Sequence, residues 1–105
     1  MAAPDHKSLM PAAQLIGDTT ADTTAMRLLA KDADAYLKNF SWCDGVLESY
    51  AGVAIPGVVG VFLHRIRPAV PDVDEWLWTV VGDVPPAYIV TDEAKTPEEA
   101  LEAYI

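Results

Sequence analysis

The stretch Gly57-Val-Val-Gly-Val-Phe-Leu-His-Arg-Ile-Arg-Pro68, followed by Glu75-Trp-Leu-Trp-Thr-Val-Val-Gly82 and Asp83-Val-Pro-Pro-Ala-Tyr-Ile-Val90, decides the fold of this 105-residue chain. Its apolar runs are short, rich in β-branched and aromatic residues, and broken only by turn formers, which is the signature of strands. In the first run Val59, Val61 and Leu63 alternate with Val58, Gly60, Phe62 and Ile66. Both faces are therefore apolar, as in an interior strand. Pro68 cannot continue an interior ladder, and the loop to Asp74 is short enough to return the chain antiparallel. The second strand places Trp76, Trp78 and Val80 on one side and Leu77, Thr79 and Val81 on the other. Gly82 and the Pro85-Pro86 pair end it, and Ala87 to Val90 forms a short third strand against the second. Whether the bonds preceding Pro85 and Pro86 are cis or trans is left open by the residues alone.

Upstream of the sheet, Ile55-Pro56-Gly57 suits a tight turn, with proline presetting one central position and glycine supplying positive φ at the next. Ser41 with Asp44 resembles a weak capping box, and Trp42, Val46, Leu47 and Tyr50 give an apolar side, predicting a short helix that ends at Gly52. From about Thr23, Met26, Leu29, Ala33, Tyr36, Leu37 and Phe40 recur at spacings of three and four, opposite Arg27, Lys31, Asp34 and Lys38. This predicts a long amphipathic helix. A duplicated tetrapeptide, Asp18-Thr-Thr-Ala21 and Asp22-Thr-Thr-Ala25, precedes it and supplies capping side chains. Residues 1–22 have no sustained period and are expected to include a flexible segment, although Leu9, Met10, Leu15 and Ile16 can dock a short turn.

Downstream, Thr96, Pro97 and Glu99 announce a closing helix with Leu101, Tyr104 and Ile105 as its apolar stripe. Helices, then a meander, then a helix imply a single α+β domain over residues 1–105. The expected form is a two-layer sandwich with a three- to four-stranded antiparallel sheet.

Composition sets the outer limits on function. The chain is 51% hydrophobic and 22% charged, enough for one modest core without staples. A lone cysteine, Cys43, excludes an internal disulfide, and the lack of a Cys/His cluster argues against a structural metal. No apolar run reaches the roughly eighteen residues of a membrane helix, so a soluble, cytoplasmic protein is expected. The formal charge is −9, and residues 68–105 hold nine carboxylates against the single cation Lys95. That field repels phosphate backbones, which argues against nucleic acid, and steers association with basic surfaces.

Candidate chemistry is sparse. Cys43 as a thiolate, His64 as its base and Asp83, or Asp74, as orienter make one conceivable catalytic set, yet isolated residue types are weak motifs. Asp72 and Asp74 can hold a divalent cation through oxygen, although Asp is more often a turn residue. Gly57 and Gly60 lack the rest of a phosphate loop, and no cofactor is expected. The reading favoured by the residues is a non-enzymatic interaction domain, such as a bacterial inhibitor or immunity-like protein. Its contact set would be Trp76, Trp78, Asp74, Glu75, Asp83 and Tyr88, on the condition that the tryptophan face is open. Core burial of both tryptophans is the commoner use of such rings. Two alternatives stand beside it: a small enzyme or ligand-binding module around Cys43, His64 and Asp83, and a homodimer joined through an edge strand or the tryptophan face.

Overall fold

A computed structural model describes residues 6–105. It is an α+β fold in which a five-stranded antiparallel sheet has the order β1-β2-β3-β4-β5. The strands are β1 (Met10–Pro11), β2 (Cys43–Ile55), β3 (Val59–Pro68), β4 (Trp76–Gly82) and β5 (Ala87–Val90), with helices α1 (Thr20–Lys38) and α2 (Pro97–Tyr104). The interior strand, the antiparallel return through residues 69–75 and the pairing of the short last strand with its predecessor are all as the residues predict. The peptide bonds before Pro85 and Pro86 are trans.

The expected second helix is absent, and its residues form β2. The cause lies in the pairing with β3, whose register shifts between Cys43 and Val46, between Val46 and Glu48, and between Ala51 and Val53. Each irregularity inserts a residue that breaks the period of two. Apolar residues then fall three and four apart and imitate a helix. Gly52, taken as a helix stop, instead lies inside β2, where a Cβ would come within 2.5 Å of the Pro97 ring. Glycine is required there so that the first turn of α2 can rest on the strand. At the far end of β2 the turn is as expected: Val58 N–H donates to Ile55 O at 2.9 Å, and Gly57 takes φ +72°.

Helix α1 starts three residues earlier than its apolar period suggests, because the first copy of the repeat caps it. Thr19 Oγ1 accepts from Asp22 N–H at 3.0 Å, while Thr23 of the second copy accepts from Gly17 N–H at 2.8 Å. The two copies thus do different jobs. Leu29, Ala33 and Leu37, one turn apart, are its buried residues. They pack on Phe62, Ile66, Leu77 and Val81, the residues of β3 and β4 that share one pleat face. Helix and sheet make the two layers of the sandwich.

The alternate residues Val61, Leu63, Trp76, Trp78 and Val80 face the other way and are covered by α2 through Ala100, Leu101 and Tyr104. Its cap is the one predicted: Thr96 Oγ1 accepts from Glu99 N–H at 3.1 Å, and Glu99 reaches back to Lys95 N–H at 3.0 Å. The expectation of a flexible 1–22 segment falls in part on residues 1–5, outside the described residues. Within the remainder, Met10 and Pro11 pair with Ala51 and Tyr50, and Leu15 is buried beside Leu29.

Candidate functional site

The sequence nominated a tryptophan platform, and the structure closes it. Trp76 and Trp78 are 5% and 1% exposed. Trp78 Nε1 donates to Ala94 O at 2.9 Å, so the segment leading into α2 is fastened over the ring. Trp76 is stacked against His6 at 5.1 Å and lies beside Tyr50. Both rings are core. Tyr88, opposite Thr79, lies on the α1 face and shares no surface with them. Glu75 is tied to Arg65 at 3.0 Å, Asp74 lies in the loop before β4, and Asp83 is exposed just past Gly82.

The catalytic set is also dispersed. Cys43, at the start of β2 opposite Pro68, is buried and points its sulfur at Gly45 O, 3.6 Å away. Asp83 donates its N–H to Val58 O, at the opposite end of the sheet. A strand of this length spans on the order of 30 Å, so thiol and carboxylate cannot meet. His64 lies in the middle of β3 rather than at its end, and it is 0% exposed.

Its partners are residues that the sequence did not nominate. Nδ1 lies 2.8 Å from Ser49 Oγ and Nε2 lies 2.8 Å from Thr79 Oγ1. Ser49 Oγ in turn donates to Asp34 Oδ1 at 3.2 Å. With Asp34 ionised, one arrangement of protons satisfies every group: Thr79 donates to Nε2, Nδ1–H donates to Ser49, and Ser49 donates to the carboxylate. Ser49 is then a relay that accepts from the imidazole and gives its proton to the carboxylate, so His64 is not placed as a base that would activate it. Burial pushes the His64 imidazole down to about 3, so it is neutral at ordinary pH, and its 3.7 Å approach to Asp34 is no ion pair there. Burial raises the Asp34 carboxyl, opposed by the Ser49 hydrogen bond and by Lys38. The chain of four side chains crosses the α1 face and ends in a groove of about 580 Å³ between α1 and β2, beside Arg27 and Lys31.

A second concavity lies on the same face at the other side of the sheet. It is a notch of about 240 Å³ lined by Trp42, Asp72, Val73, Asp74, Leu77, Tyr88 and Val90. Three features place these residues. The chain leaves α1 in a tight descent, with Cys43 N–H donating to Phe40 O at 3.1 Å, which sets Trp42 beside Phe40. Their rings stack at 4.7 Å and 20°. Trp42 O accepts from Ala69 N–H at 2.9 Å and draws in the loop that carries Asp72 and Asp74. Tyr88 on β5 closes the corner, edge-on to Trp42 at 5.1 Å and to Phe40 at 5.3 Å. Of the expected contact residues, Asp74 and Tyr88 meet here. Trp42 was missed because it was assigned to a helix that does not form.

The same end of the sheet collects charge. Val90 lies opposite Leu77, so Asp92 and Glu93 leave β5 where residues 72–75 enter β4. Lys95 is 3.9 Å from Asp92, whereas Asp72, Asp74 and Glu93 are in no ion pair among the described residues. Among those residues no group of three His, Cys, Asp or Glu is placed to hold a metal ion, and no helix is long and apolar enough to cross a membrane. Comparison with family models, with curated proteins and with solved structures returned no match to the chain.

Proposed function

We propose that this chain is a non-enzymatic interaction domain that binds a protein partner through a basic surface. The observation that carries the reading is the gathering of carboxylates that are in no ion pair among the described residues, the exposed Asp72 and Glu93 and the half-buried Asp74, around one end of a sheet whose two faces are already covered. Carboxylates held apart from cations keep their field available to an incoming positive surface, raising association rates and rejecting acidic partners. A stoichiometric inhibitor or immunity-like protein that occludes a basic surface is the form of binding this charge suits. The dispersal of Cys43, His64 and Asp83 leaves the rival enzymatic reading without its constellation.

Binding of oligolysine and of a panel of small basic proteins to the immobilised domain tests the proposal. Affinity is expected to fall steeply as salt rises from about 50 to 500 mM, because exposed charges are screened over that range. Replacing Asp72, Asp74 and Glu93 together by their amides should weaken every such complex. Absence of any salt-sensitive cationic ligand, or equal binding by the triple amide variant, refutes it. Sedimentation of the free domain separates this reading from self-association.

A further inference from the structure

Resting on that reading, we infer that the notch between Trp42 and Tyr88 receives a single arginine side chain of the basic partner. Size is the first argument. At about 240 Å³ the notch is smaller than the roughly 300 Å³ at which pockets for whole small molecules begin, and it suits one inserted side chain.

The walls give the second. Trp42 and Tyr88 line the notch and Phe40 packs against both, the three rings lying 4.7–5.3 Å apart with one stacked and two edge-on contacts, in an aromatic corner where Tyr88 remains 41% exposed. Aromatic faces attract a cation that lies against them. The third is the rim, where Asp72 and Asp74 stand without an ion pair among the described residues, none of whose cations lines the notch. A planar guanidinium can stack on Trp42 while its N–H fork meets a carboxylate. A lysine ammonium, compact and strongly hydrated, offers neither the flat stacking surface nor the bidentate fork. Leu77 and Val90 at the base would contact the aliphatic stem.

The probe is a capped pentapeptide with arginine at its centre, compared with lysine and citrulline twins and followed by the Trp42 indole N–H and the Tyr88 amide in two-dimensional NMR. The arginine peptide is expected to bind at least about tenfold more tightly than the citrulline twin and more tightly than the lysine twin, with shifts centred on those two residues. Trp42→Leu should abolish the preference. Asp74→Asn, which keeps the aromatic walls and guards against a folding defect, should reduce arginine affinity about tenfold. Equal shifts by arginine and citrulline, a lysine preference, or shifts centred away from the notch overturn the inference. Oligolysine binding that persists in such an outcome leaves the proposed function standing, whereas loss of both removes the two together.

Discussion

Acidification should unfold this protein through His64, and the structure allows the size of the effect to be worked out. The imidazole is fully buried with both nitrogens engaged by uncharged hydroxyls, and its folded value is about 3 against 6.5 for the free side chain. The unfolded chain therefore takes up a proton that the folded chain refuses. Stability from this group is complete above pH 6.5 and falls as pH drops toward the folded value, at about 1.4 kcal/mol per pH unit. Between pH 6.5 and about 4.5 the loss is roughly 2 kcal/mol, a large share of the stability of a small domain. Asp34 acts in the opposite sense. Its carboxyl is raised above 3.8, so its contribution is present below that value and lost as pH rises, and it cannot cause the acid loss. The assay is urea unfolding followed by tryptophan fluorescence at half-unit pH intervals, comparing the natural chain with His64→Leu. The variant should be less stable at pH 7 by about 1–3 kcal/mol, because the Thr79 hydroxyl, itself fully buried, loses its partner. Its stability should nevertheless be nearly flat over the same pH interval. Adding Thr79→Val should recover part of the loss at pH 7. Parallel pH profiles for the natural chain and His64→Leu would refute the reasoning, since carboxylates common to both would then carry the effect.

Two further substitutions test how α2 is held. Gly52→Ala drives a Cβ into the Pro97 ring and should cost about 1–3 kcal/mol, with amide exchange rising first in α2. Trp78→Phe removes the donor to Ala94 O and leaves a small void; a loss of about 2 kcal/mol in urea unfolding is expected, and a change below ~0.5 kcal/mol would count against the fastening role.

Much of the architecture was legible because it is local. Thr96 and Pro97 announce α2, the Leu29-Ala33-Leu37 stripe announces the buried face of α1, and the two apolar faces of β3 announce an interior strand. β2 was not legible, since its pairing irregularities depend on a partner strand and erase the alternation on which recognition relies. The polar chain was hidden for a related reason. Ser49, His64 and Thr79 are each 15 residues apart, and only the hairpin registers bring them together. A trace of it was present: a lone histidine between Phe62 and Ile66 on an otherwise apolar face demands buried partners. The notch combines an aromatic residue from the descent out of α1 with a loop and an edge strand, and no spacing in the chain encodes that meeting. The tryptophan pair, by contrast, was conspicuous and belongs to the core.

Among the described residues every strand of this sheet hydrogen-bonds to its immediate neighbour in strand order, with no crossover. From β2 to β5 assembly can therefore proceed by zipping one hairpin onto the next, each step closing a short loop, while β1 joins its neighbour only across the length of α1. The largest interface joins β2 to β3, whose tight Pro56-Gly57 reversal makes that hairpin the natural starting point, with α1 settling only once Phe62 and Val81 offer it a floor. Lengthening the Gly57 tip should consequently slow refolding far more than an equal insertion after Pro68.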